Sequence, residues 1–184
     1  MMKAWEHFKL ITTHKTYVFK NCLKAGLVWR GIKHDMSKYS PTEFFESVKY
    51  FTGTDSPINL CKKENGWSKA WLHHKGRNSH HYEYWQDNFD NGGTPLQMPF
   101  KDALELVCDY IAAGQAYQKD EFSYTGELKW WKAKSKNKIA MHPQTKRFVD
   151  IMLKTMADEE SNDCLRRKRA RYLYNVAEAL GEVL

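Results

Sequence analysis

No two cysteines of this chain stand in a CxxC pair: Cys22, Cys61, Cys108 and Cys164 are scattered through 184 residues. That scatter excludes a zinc ribbon or knuckle, whose thiolates come in close pairs, and it offers no disulfide framework. The four are read as free thiols. No apolar run approaches the roughly 20 residues of a membrane-spanning helix, so no membrane partner is expected. The segment Met1-Met2-Lys3-Ala4-Trp5-Glu6 is charged and amphipathic. It lacks the apolar core of a signal peptide, and a cytoplasmic protein is the expectation. Polar–apolar alternation of useful length is missing, as is any internal repeat, which argues against a β-rich or solenoid fold. Acidic residues are in the minority, 22 against 29 basic, for a formal charge of +7. Such a balance favours anionic partners (nucleotides, phosphate esters, nucleic acid) without choosing among them.

What is present is helical periodicity. The expected architecture is all-α, a single domain over 1–184, with helices near 3–23, 27–38, 41–51, 67–75, 79–88, 99–118, 127–135, 143–157 and 161–181. Ser40-Pro41-Thr42-Glu43 is the clearest start signal, with Ser40 as N-cap, Pro41 at the first position and Glu43 at the third. Residues 52–66, rich in Gly, Asp, Ser, Pro and Asn, read as a loop long enough to be a lid. The aromatics Trp71, Tyr82, Tyr84 and Trp85 could stack a base, but core packing is the default.

Five histidines and two aspartates then occur in the order His14, His34-Asp35, His74, His80-His81, Asp109. Imidazole and carboxylate are the ligands shared by zinc, manganese, iron, nickel and cobalt. Adjacent His34 and Asp35 on a helix would project about 100° apart, so both reach one ion only near a helix crossing. Other helices must therefore complete the site. Lys38, one turn beyond His34, is placed to anchor a phosphate. Lys75, Arg77 and Asn78, in a glycine-containing break, are similar candidates, with the guanidinium fork of Arg77 suited to phosphate oxygens. Glu83 is a candidate for orienting a histidine N–H. His73 is expected to face away, and His7 and His142 to be ordinary histidines. The basic run 166–171 shares a helix with an apolar stripe and reads first as a solvated face, with nucleic-acid contact as the alternative.

The string His…His-Asp…His…His…Asp resembles the HD-domain metal-dependent phosphohydrolases, and His34-Asp35-Met36-Ser37-Lys38 resembles their His-Asp-x-x-Lys variant. The longer stretches His34-Asp35-Met36-Ser37-Lys38-Tyr39-Ser40-Pro41-Thr42-Glu43-Phe44, Ala70-Trp71-Leu72-His73-His74-Lys75-Gly76-Arg77-Asn78 and His80-His81-Tyr82-Glu83-Tyr84-Trp85 are similar to an uncharacterised bacterial and phage family, a domain of unknown function, over about 7–118. The resemblance implies an HD-like helical bundle, with the metal-site core at about 7–118 and further helices at about 127–181. It implies a first ion on His14, His34, Asp35 and Asp109, and a second on His74 with His80 or His81, Asp35 bridging. His74 and His80 are only six residues apart, closer than the corresponding histidines of HD-GYP phosphodiesterases, so one ion or two stays open.

The implied activity is a metal-dependent phosphatase or phosphodiesterase acting on a nucleotide or another small phosphate ester. Asp35 and Lys38 would serve catalysis, and one or two divalent ions would activate water. Two alternatives stand beside it: an HD-type di-iron oxygenase, and a non-catalytic module binding a nucleotide or nucleic acid.

Overall fold

The computed structural model describes residues 2–136 and 139–181. Its centre is α6 (Phe100–Gln118), where Leu104, Leu106, Val107, Cys108 and Ile111 are all fully buried. A helix apolar on nearly every face can only sit inside a bundle. Along one side runs α1 (Met2–Lys24), and α7 (Tyr124–Ser135), α8 (Pro143–Glu159) and α9 (Arg167–Ala179) cover the other. Trp131 of α7 is fully buried against this layer, and its indole N–H donates to Asp150 Oδ1 at 2.5 Å. The described residues are all-α, apart from a two-residue ladder between β1 (Gln86–Asp87) and β2 (Thr94–Pro95). All four cysteines are free and buried.

The start signal at Ser40 is real. α3 (Pro41–Tyr50) begins there, with the Ser40 hydroxyl accepting from the Glu43 N–H. Glu43 does not reach back to close a capping box; its carboxylate turns inward instead, towards two histidines. α5 (Lys69–Lys75) is capped twice. Ser68 accepts from the Trp71 N–H at 3.0 Å, and Glu46 of α3 accepts from Ser68 and from the N–H groups of Lys69 and Ala70. An anion over those first N–H groups pins α5 to α3.

Three expectations are corrected. The helix expected over 27–38 stops early, as α2 (Val28–Lys33). Lys15 of α1 reaches across to donate to the carbonyls of Ile32 and His34, each at 2.7 Å. Asp35 then turns left-handed, at φ +54°, before a 3-10 turn over Met36–Tyr39. Aspartate tolerates that conformation better than most residues. Residues 52–66 are not a plain loop, because they hold α4 (Pro57–Asn65) between Pro57 at its first turn and Gly66, left-handed at φ +78°. Residues 79–88 do not form a helix. They carry a 3-10 turn over Tyr82–Tyr84 and then β1, with the Trp85 indole donating to the Ser79 carbonyl at 2.7 Å.

Candidate metal centre

Every residue of the His/Asp string converges around the middle of α6, at Asp109. His14 comes from α1, Asp109 from α6 and His74 from α5. His34 and Asp35 come from the break after α2, and His80 and His81 from the turn after α5. Because the chain leaves helical geometry at His34, the two neighbours do not splay by 100° as a continuous helix would force. The left-handed Asp35 lies at the middle of the cluster, 2 % exposed.

Its two oxygens face different ways. Oδ2 is 3.3 Å from His34 Nε2 and 3.7 Å from His14 Nε2. Oδ1 is 3.3 Å from both His74 Nε2 and His80 Nε2. Asp109 Oδ1 is 3.0 Å from His14 Nε2 and 3.4 Å from His34 Nε2. Two groups of donor atoms centred on Asp35 result, His14–His34–Asp35–Asp109 and Asp35–His74–His80–His81, and a third, His34–His80–Glu105, lies behind them, each with its atoms within 4.8 Å of one another. Donors about 2.1 Å from one ion lie about 3.0 Å apart at octahedral corners and about 3.4 Å apart at tetrahedral ones. The five spacings of 3.0 to 3.4 Å fall in that range, and His14–Asp35, at 3.7 Å, is wider.

The donor atoms are also short of other partners. Nε2 of His14, His34 and His80 and Oδ1 of Asp35 are buried without an aligned hydrogen bond, and Asp35 Oδ2 meets only the Lys38 ammonium outside the donor set. Such orphans are costly in a protein interior and call for an explanation. His74 Nε2 and His81 Nε2 face each other at 2.8 Å, two nitrogens directed at one point. Divalent cations held at the two groups would satisfy these atoms, so the residues present fit such ions.

The opposite ring nitrogens are held by carboxylates that the sequence reading missed. Glu105 Oε1 is 2.9 Å from His34 Nδ1 and 3.4 Å from His80 Nδ1, and Arg30 Nε donates to Glu105 Oε2 at 2.5 Å. Arg30 is in turn paired with Asp102. Glu43 Oε2 is 2.8 Å from His74 Nδ1, and its Oε1 is 2.6 Å from His73 Nδ1. A carboxylate on Nδ1–H fixes the tautomer whose Nε2 lone pair points into the site. Burial alone would raise the Glu105 carboxyl, but hydrogen bonds from His34 and His80 bring it below the usual carboxylate range. Burial opposes the charged form of Asp35 as well, and the neighbouring charges of His34, Lys38 and His74 override it. Burial pushes the His81 imidazole down, helped by His80 and His74. A signal for Glu105 was available: Asp102, Glu105 and Asp109 stand at i, i+3 and i+7, one charged stripe on an otherwise apolar helix.

Beside the two groups lies a cavity of about 220 Å³, lined by His14, Lys38, His74, His81 and Asp109 at its polar end. Leu10, Ile11, Pro57 and Ile58 form the apolar wall opposite, so α4 borders the cavity from within the segment read as a loop. Lys38 sits on the 3-10 turn, not on a helix continuing from His34, and its Nζ is 2.5 Å from Asp35 Oδ2. It is the one Lys or Arg among the described residues lining this cavity.

Lys75, Arg77 and Asn78 do not line it. Arg77 is exposed and bonds back to the His73 carbonyl at 3.3 Å. The Asn78 amide donates to Ser37 Oγ and to the His74 carbonyl, so it braces the turn carrying the histidines. Glu83 makes no hydrogen bond to a histidine, and its Oε2 is buried without a partner; Glu105 and Glu43 hold the ring nitrogens instead. His7 is not an ordinary histidine. It is buried, lines the cavity with an unpartnered Nδ1, and burial with help from Lys38 lowers its pKa to about 4.

His73 stays outside both donor groups, and His142 caps α8 by accepting from the Gln144 N–H. Tyr82 and Trp85 pack on the core, Tyr84 is exposed, and Trp71 alone of the four aromatics borders the cavity. In the basic run, Arg169 pairs with Glu159, Arg166 lies 3.7 Å from Asp163, and Arg171 stacks 3.6 Å over Phe100.

No helix among the described residues is long and apolar enough to cross a membrane. Comparison with curated proteins and with solved structures gives no match. Residues 3–155 match a family of unknown function, DUF5662, and the chain belongs to that family.

Proposed function

We propose that this chain is a metal-dependent phosphohydrolase, of the HD type its His/Asp string resembles, acting on a nucleotide or another small phosphate ester. The observation that carries the reading is Asp35. One buried carboxylate presents each oxygen to a separate set of imidazoles, and Lys38, the cavity's single lysine, stands against it. Divalent ions held by His14, His34, Asp35 and Asp109, and by Asp35, His74, His80 and His81, would lower the pKa of a water and stabilise developing negative charge on oxygen.

The chain's own groups supply the rest. Lys38 offers an ammonium to the non-bridging phosphoryl oxygens, the part of the ester where charge accumulates. Arg30, through Glu105, keeps His34 and His80 in the donor tautomer. His7 is neutral at physiological pH and lines the cavity with an unpartnered Nδ1, which would hydrogen-bond the leaving group. The apolar wall excludes water from one side of the ester.

The test is a panel of phosphate mono- and diesters, assayed with protein reconstituted with manganese, iron, cobalt, nickel or zinc. Wild type is expected to turn over at least one ester, and Asp35→Ala to abolish that turnover while keeping its helical circular dichroism. Inactivity of every reconstituted form across the panel overturns the proposal. Tightly bound iron with oxygen uptake in place of hydrolysis would assign the oxygenase chemistry instead.

A further inference from the structure

A second cavity, of about 380 Å³, adjoins the first and shares Ser56, Ala113 and Tyr117 with it. It lies between α4, α6 and α7, and its chemistry differs from that of the metal end. No Lys or Arg lines it among the described residues, whereas Asp55 and Glu127 do. An anion such as phosphate is therefore disfavoured there.

Glu127 is the unusual member. It is 2 % exposed, yet its carboxylate makes no hydrogen bond or ion pair among the described residues. A buried carboxyl without a partner is expensive, and nothing in the bundle requires one there. Burial pushes it up to about 7, with Lys134 opposing and Asp109 adding to the rise. A Cβ at Gly114 would collide with this carboxylate and with the Phe122 ring, so the glycine leaves the room that Glu127 occupies. Tyr110, also lining the cavity, has a buried hydroxyl without a partner. Trp130 lines it, 43 % exposed, with Lys134 Nζ 4.9 Å from its ring centroid and the Tyr110 ring edge-on at 5.4 Å. Glu127 belongs to none of the donor groups able to hold an ion, which argues against a further metal.

An unpaired acceptor, an unpaired hydroxyl and an indole describe a site for a planar ring that donates N–H bonds. We propose that this cavity is a subsite for an amino-bearing nucleobase, with the Glu127 carboxylate accepting from adjacent ring and exocyclic N–H groups while the base lies against Trp130. The subsite deepens the phosphohydrolase reading and rests on it for the phosphate end of the ligand. Asp109 and Gly114 are five residues apart on α6, about 7.5 Å along the axis. A nucleoside phosphate can bridge that span, phosphoryl group at Lys38 and base at Glu127.

The probe is guanosine, which carries both donors and no phosphate, so its binding is independent of hydrolysis. Calorimetry or ligand-observed NMR on the full chain, metals chelated, is expected to show guanosine binding about tenfold more tightly than inosine, which lacks the exocyclic amine. Glu127→Gln should remove that preference, and Trp130→Ala should weaken both nucleosides. Circular dichroism confirms that each variant is folded. Failure of guanosine to bind at millimolar concentration, equal binding of inosine, or a preference that survives Glu127→Gln overturns the subsite. If the chain hydrolyses no phosphate ester but discriminates guanosine, only the hydrolase reading falls. If it hydrolyses esters without regard to the base, only the subsite falls.

Discussion

Replacing Glu127 with glutamine should make the metal-free protein more stable at neutral and alkaline pH, with a pH signature that identifies the cause. The carboxyl is raised from its ordinary value of 4.5 to about 7 by burial, with Lys134 opposing and Asp109 adding. A carboxyl raised on folding is penalised in its charged form, so the folded state binds the proton more tightly than the unfolded one. Below about pH 4.5 both states are protonated and the penalty is absent. It grows as the pH climbs from 4.5 to about 7 and is constant above that. The difference corresponds to about 3 kcal/mol at 1.36 kcal/mol per pKa unit. Glutamine has the shape of the protonated acid and never ionises. Urea unfolding of wild type and Glu127→Gln, run with chelator from pH 4.5 to 8.5, should give stability differences near zero at the acid end. At the alkaline end the variant should lead by about 3 kcal/mol, or roughly 6–12 °C in Tm for a chain of this size. A difference that is flat with pH, or a variant less stable above pH 7, refutes the argument that this carboxyl is buried without a partner.

Two further outcomes follow from the contacts. Glu105→Gln removes the charge that holds Nδ1–H of His34 and His80, so metal affinity should fall by about 10- to 100-fold in competition with a fluorescent chelator; unchanged affinity would mean that Glu105 serves only Arg30. Trp131→Ala removes a fully buried indole and its bond to Asp150, and should cost about 3–5 kcal/mol by denaturant midpoint, whereas a loss below about 1 kcal/mol would contradict the packing described for α7.

The order of the histidines and aspartates was legible because ligand chemistry is carried by residue type and survives in a one-dimensional string. The helices of the bundle were legible where a single face repeats, as in α8, or where apolar residues run through successive turns, as in α6. What escaped was set by contacts between distant segments. The end of α2 depends on Lys15, far back on α1, taking its last carbonyls, and no local breaker marks His34. Glu43 looked like half of a capping box because its spacing from Ser40 fits one, but two histidines 30 and 31 residues on compete for its oxygens. α4 carries the Ser-Pro start that located α3, and the surrounding polar residues obscured it. Arg77 looked like a phosphate fork by type alone, whereas it bonds back to the His73 carbonyl and lines a separate pocket with Asn78, His34, His80 and Glu105.

The central claim is that Asp35 is shared by two metal positions, and counting ions tests it most directly. Protein purified anaerobically, reconstituted with manganese or iron and freed of excess metal should hold two ions per chain by elemental analysis. His74→Ala should hold one, and Asp35→Ala should hold none tightly, because each group loses a ligand common to both. Wild type holding no ion, or Asp35→Ala retaining two, would contradict the account.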